Sequence, residues 1–61
     1  MREWHPILTA PLDRNLQLSV HENGEVHSLV FPCRRIQTGW VNALTGKPVF
    51  VHPTHWRDWL D

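Results

Sequence analysis

The sequence predicts a small all-β fold, a five-stranded antiparallel meander curled into an SH3-like partial barrel and finished by a short C-terminal helical turn. Three observations carry this expectation. Asn23-Gly24 lies between two apolar runs, turn-forming pairs recur roughly every eight residues, and no stretch keeps helical periodicity over a useful length.

The central element is the stretch 16–31, LQLSVHENGEVHSLVF. Leu16, Leu18 and Val20 alternate with polar residues, and a second apolar run begins at Val26. A type I′ turn needs positive φ at both central residues, which Gly tolerates freely and Asn better than most. A two-residue loop at Asn23-Gly24 sets Leu16 opposite Phe31, Leu18 opposite Leu29 and Val20 opposite His27. That register gathers the large apolar side chains on one face, whereas a slip of one residue would oppose Leu18 to Ser28.

Before the hairpin, residues 1–15 read as an extended arm packed on the domain, because Pro6 and Pro11 remove donors and bias their predecessors away from helix. Trp4, Ile7, Leu8 and Leu12 are too apolar for a solvated tail, so the arm is expected to cross the core with an edge strand near Ile7 to Thr9. Residues 16–61 form the single β domain. After the hairpin, Pro32 should bend the chain into a strand through 33–37. Thr38-Gly39 then offers a turn that would pair Ile36 with Val41 and Gln37 with Trp40. Thr45-Gly46-Lys47-Pro48 marks another reversal, and Val49-Phe50-Val51 suits a short strand. In the ending 52–61, Thr54 is placed to cap a helical turn whose Trp56, Trp59 and Leu60 share one face as a plug.

The chain has 61 residues, enough for one domain. A chain of this length buries only about 60% of its unfolded surface, which makes a dimer plausible. Four Trp and two Phe then have to supply much of the core. The lone Cys33 excludes an intramolecular disulfide framework and favours a reducing cytoplasm. Pro6, Pro11 and Asp13 interrupt the N-terminal segment before a signal-peptide core could form, and no run approaches the ~20 apolar residues of a membrane span. Six basic and six acidic residues cancel, so no whole-domain field draws the chain to nucleic acid or anionic lipid.

Gly39-Trp40, Thr45-Gly46 and Pro53-Thr54-His55-Trp56-Arg57, within GWVNALTGKPVFVHPTHWRDW, resemble the C-terminal half of small uncharacterised alphaproteobacterial proteins. The segments PLDRNLQLSV and LVFPCRR look like theirs too. The resemblance covers most of the chain from Pro11 onward. It implies a bacterial, cytoplasmic origin and transfers no functional residue.

Four chemistries compete for the polar and aromatic residues. His52-x-x-His55 with Cys33 offers nitrogen and sulfur ligands for zinc, but Pro53 separates the histidines and no second Cys is present. The plainer reading makes Cys33 a small buried hydrophobe, leaves the histidines bonded to backbone, and requires no cofactor. A Cys33–His pair oriented by Asp58 could serve nucleophilic catalysis, yet so small a domain has little room for a pocket of ~300 Å³ beside its own core, so no enzyme is expected.

Arg34, Arg35, Trp40 and Lys47 could gather as a single-stranded nucleic-acid surface, with rings stacking bases and cations tracking phosphates. Adjacent arginines point to opposite faces of a strand, which weakens that set. A protein-interaction module, or a subunit of a larger assembly joined through a protein partner or a second copy, is the preferred expectation, since Trp and Arg favour binding hot spots and short sheet edges accept partner strands. Trp56 and Trp59 are assigned to the core, while Trp4 and Trp40 are open between core and surface.

Overall fold

Strand β2 (Leu16–Glu22) is the axis of the molecule, a computed structural model that describes residues 2–60. It turns through Asn23 and Gly24 into β3 (Glu25–Ser28). The turn residues have φ of 51° and 76°, as a two-residue primed turn requires. Val20 faces His27, His21 faces Val26 and Ser19 faces Ser28, and the Leu29 amide donates to the Leu18 carbonyl at 2.9 Å. The expected register therefore holds to Leu29. Beyond it Leu16 lies opposite Cys33 and not Phe31. The bend at Pro32, which has no N–H to offer, adds two residues before strand β4 (Cys33–Ile36) rejoins β2. A two-residue offset preserves parity, so Leu16 and Cys33 still share the core face.

The expected C-terminal helical turn is replaced by strand β6 (His55–Asp58) on the other edge of β2. Its register pairs Leu16 with Asp58, Gln17 with Arg57, Leu18 with Trp56 and Ser19 with His55. The physical reason is the open edge of β2, whose amides and carbonyls a one-turn helix could not satisfy. Thr54 is no helix cap: its amide donates to the Ser19 carbonyl and its Oγ1 accepts from the His21 amide, both at 2.9 Å. Trp56 and Trp59, three residues apart along extended backbone, consequently do not share a face.

The arm also differs in detail. The edge strand expected near Ile7 to Thr9 falls earlier, as β1 (His5–Pro6), pairing with β6. Residues Ile7–Thr9 close instead into a 3-10 turn, held by the Ala10 amide on the Ile7 carbonyl at 3.1 Å and by Thr9 Oγ1 on the Pro6 carbonyl at 2.7 Å. Trp56 Nε1 donates to Thr9 Oγ1 at 3.0 Å, tying this turn to β6. The outermost residues assigned to the arm and the plug, Met1 and Asp61, lie outside the described residues.

β4 continues into β5 (Gly39–Asn42), but the loop is Gln37-Thr38, one residue earlier than expected. Gly39 has φ 147°, a conformation open chiefly to glycine, and opens the return strand opposite Ile36. Arg35 therefore faces Trp40, and Arg34 faces Val41. The next reversal is built by Asn42, whose Oδ1 accepts from the amides of Leu44 and Thr45 while its backbone bonds Gly46 and Lys47. Residues 49–51 form no strand. Pro48 makes one bridge to Val41, the Val49 amide reaches the Trp40 carbonyl at 2.9 Å, and Val49 and Val51 rest on the core while Phe50 points to solvent.

Six strands result, in the spatial order β1-β6-β2-β4-β5, with β3 beside the far half of β2. Every strand pair is antiparallel and the sheet stays open. Ala10, Leu16, Leu18 and Cys33 are its buried apolar centre, with Ile7, Leu29, Phe31, Trp40, Val49, Val51 and Trp56 packed around them. The molecule is thus all-β, but the first strand sits beside the last, and a simple meander does not describe its order.

Candidate functional site

The register sorts the sheet into two faces. Leu16, Leu18, Trp56 and Cys33 point toward the core, so Gln17, Ser19, His21, His55 and Arg57 point away from it, and Trp4, just ahead of β1, lies on that outer side over Arg57. An outer face of a sheet in contact with water would ordinarily carry scattered polar residues. Here it carries stacked rings.

The rings form a continuous ladder. The Arg57 guanidinium lies over the Trp4 ring, 4.0 Å from its centroid. Trp4 meets His21 edge-on at 5.5 Å, and His21 stacks on His55 at 3.8 Å with 16° between their planes. Hydrogen bonds fix each rung: Arg57 Nε donates to Gln17 Oε1 at 2.8 Å, His21 Nε2 lies 2.9 Å from Ser19 Oγ, and His55 Nδ1 lies 2.8 Å from Thr54 Oγ1. Partial burial, and secondly the neighbouring His55, lower the His21 pKa below its ordinary value. With its pKa lowered from 6.5, His21 is predominantly a neutral ring near pH 7.

The Ser19–His21 contact has the spacing of a nucleophile and its base, but Ser19 is only 1% exposed beneath the rings, where no substrate carbonyl can reach its hydroxyl. What this face offers is recognition: rigid aromatic surface, one oriented cation, and several half-exposed hydrogen-bonding groups.

The residues singled out in the sequence fall elsewhere. Arg35 and Trp40 are brought together, directly opposite each other, but on the core side. Arg35 Nη1 donates to the Ala10 carbonyl at 2.5 Å, clamping the arm, and Trp40 packs against the buried centre. Arg34 is exposed on the opposite side of β4, with its Nε on Asn15 Oδ1 at 2.8 Å. Lys47 is exposed in the reversal after β5. These four do not form one free patch.

Cys33 is fully buried, and burial raises its thiol pKa to about 11, leaving it a neutral packing group near pH 7. His52 is exposed, His55 belongs to the stack, and no cluster of three His, Cys, Asp or Glu side chains gathers for a metal among the described residues. Gln17, His21 and Arg57 could have been found from alternation alone had 55–58 been read as a strand, since the outer face is every second residue of β2 and β6. Comparison of the chain with protein-family models, with curated proteins and with solved structures found no match.

Proposed function

We propose that this chain is a small protein-interaction module, or a subunit of a larger assembly, that presents apolar side chains to a protein partner or to a second copy of itself. The observation that carries this reading is exposure: Phe50 is 92% exposed, Leu8 89%, Val30 88% and Leu44 75%. Scattered single hydrophobes are ordinary on a surface. So many large ones on a domain whose buried core among the described residues is as small as Ala10, Leu16, Leu18 and Cys33 are what an interface subunit shows when viewed without its partner. The outer edge of β3, whose four residues are all exposed, offers a second route, by addition of a partner strand. SH3-like curling of the open sheet and residence in the cytoplasm belong to the same proposal. Among the described residues, no helix is long and apolar enough to cross a membrane.

The test places a photoreactive phenylalanine analogue in turn at positions 30, 44 and 50, and at Glu22 as an exposed polar control, in the native host, alongside sedimentation of the purified chain over a wide concentration range. Cross-linked adducts of defined mass from position 50 and not from 22, or a mass that rises with concentration and is restored to monomer by Phe50→Ser, support the reading. A chain that stays monomeric and yields no adduct at 50, 30 or 44 refutes it.

Single-stranded nucleic acid is the second reading, favoured by the Trp4–Arg57–His21–His55 ladder, since rings and a guanidinium on one face can stack bases. Oligonucleotide titration would then quench tryptophan emission with an affinity that drops steeply as salt rises. Zero net charge makes that affinity low at physiological ionic strength.

A further inference from the structure

Where β1 begins and β6 ends, a cleft of about 260 Å³ is lined by Arg2, Glu3, His5, Arg57 and Asp58. Most of the cations near it are already engaged. Arg2 donates to the backbone carbonyl of Asp58, and Arg14, just outside, pairs with the Asp58 carboxylate. Arg57 is different. Its Nε is held by Gln17 and its plane is laid on Trp4, yet among the described residues no carboxylate or carbonyl accepts from its two Nη groups.

We propose that Arg57 anchors a carboxylate-binding site in this cleft. A guanidinium presents parallel N–H donors at the spacing of the two oxygens of a carboxylate, and bidentate pairing of this kind is among the strongest hydrogen-bonded contacts available at a surface. Such pairing is usually weakened by the entropy of ordering a long side chain. Here the Gln17 bond and the Trp4 ring have already ordered it, so little is lost when a ligand arrives. Stacking leaves the edge of the fork available while the flat face is occupied by the indole.

The charge balance of the cleft selects the ligand. Arg14 compensates Asp58, but Glu3 stands without a cation of its own among the described residues. A planar, singly charged acceptor meets less repulsion there than a doubly charged phosphate. The ligand class is therefore one carboxylate, from an acidic side chain, from a polypeptide C-terminus or from a small organic acid. The site uses none of the apolar residues that carry the interaction reading, and the two stand or fall separately.

The experiment titrates isotope-labelled protein with sodium acetate, with sodium chloride and inorganic phosphate as comparators at constant ionic strength, following the Trp4 indole N–H and Arg57 Nε–H resonances. Acetate should produce saturable shifts at both. Arg57→Gln should bind at least roughly tenfold more weakly, the loss expected when a charged hydrogen-bonding partner is removed. Arg57→Lys, which keeps the charge without the fork, should bind more weakly than the natural chain, and Glu3→Gln more tightly. Two blocked tripeptides, one with a Glu side chain and one with a free C-terminus, then tell the polypeptide sources apart. The site is refuted by equal linear drift with acetate and chloride, by Arg57→Gln titrating like the natural chain, or by phosphate saturating before acetate. Should Arg57→Gln fail to fold, the opposite directions expected for Arg57→Lys and Glu3→Gln decide the matter.

Discussion

His21 shows how one side chain links packing to solution conditions. Its pKa is lowered in the folded state by partial burial and then by His55, so the unfolded chain, near the ordinary value of 6.5, takes up a proton more readily than the folded one. Stability from this residue is complete above that unfolded value and is lost as pH falls through 6.5 toward the lower folded pKa. The groups facing the stack are Arg57 on β6 and Trp4 ahead of β1, while Glu22, Glu25, His27 and Asp58 lie on the opposite side of their strands, so among the described strand residues no carboxylate shares this face to offset the new charge. The melting temperature should fall between pH 7.5 and pH 5 by more than it does in His21→Gln, where the titrating ring is gone. Thermal melts of both chains across that range check this, and parallel pH dependences would refute it.

At the scale of elements, the seam between β2 and β6 rests on Thr54. Its hydroxyl oxygen accepts from the His21 amide, and replacing Thr54 with Val keeps the shape while orphaning that donor. A half-buried donor left without a partner costs about 1–3 kcal/mol. Denaturant unfolding of Thr54→Val should show a loss in that range with an unchanged slope, and Thr54→Ser should recover much of it. The same seam marks the limit of what the sequence made legible. The Asn23-Gly24 hairpin could be read because its turn chemistry and its alternation are local and agree. β6 could not, because four residues of alternation are too few to outweigh the helical spacing of Trp56 and Trp59, and what decides between them is the vacant edge of a strand more than thirty residues away. The second hairpin is displaced for a smaller reason: Thr38-Gly39 has the composition of a two-residue loop, but the φ of Gly39 lets that residue begin the return strand. The outer-face ladder depends on the same strand, since Arg57 and His55 join His21 only when β6 is extended.

For the molecule as a whole, the topology makes folding depend on both ends of the chain. β6 lies between β1 and β2, so its residues close the longest sequence separations in the structure before the centre of the sheet is complete. Pairing of this non-local kind slows folding relative to helical domains of similar length. A chain truncated after Pro53 loses β6 and every partner of β1, and should give the narrow amide dispersion of an unfolded polypeptide. Retention of a dispersed spectrum would mean that β2, β3, β4 and β5 fold without it.

The bond from Arg2 to the backbone of Asp58 carries a last consequence. Together with the pairing of β1 and β6 it brings the start of the described chain and the end of β6 to the same corner, so the domain has, in effect, one doorway. A short Gly/Ser joint could close the backbone into a circle there, and fresh ends could be cut at the exposed Leu44-Thr45 reversal, where little packing would be disturbed. For the same reason the whole unit could be spliced as a cassette into a surface loop of another protein, its entry and exit strands lying side by side.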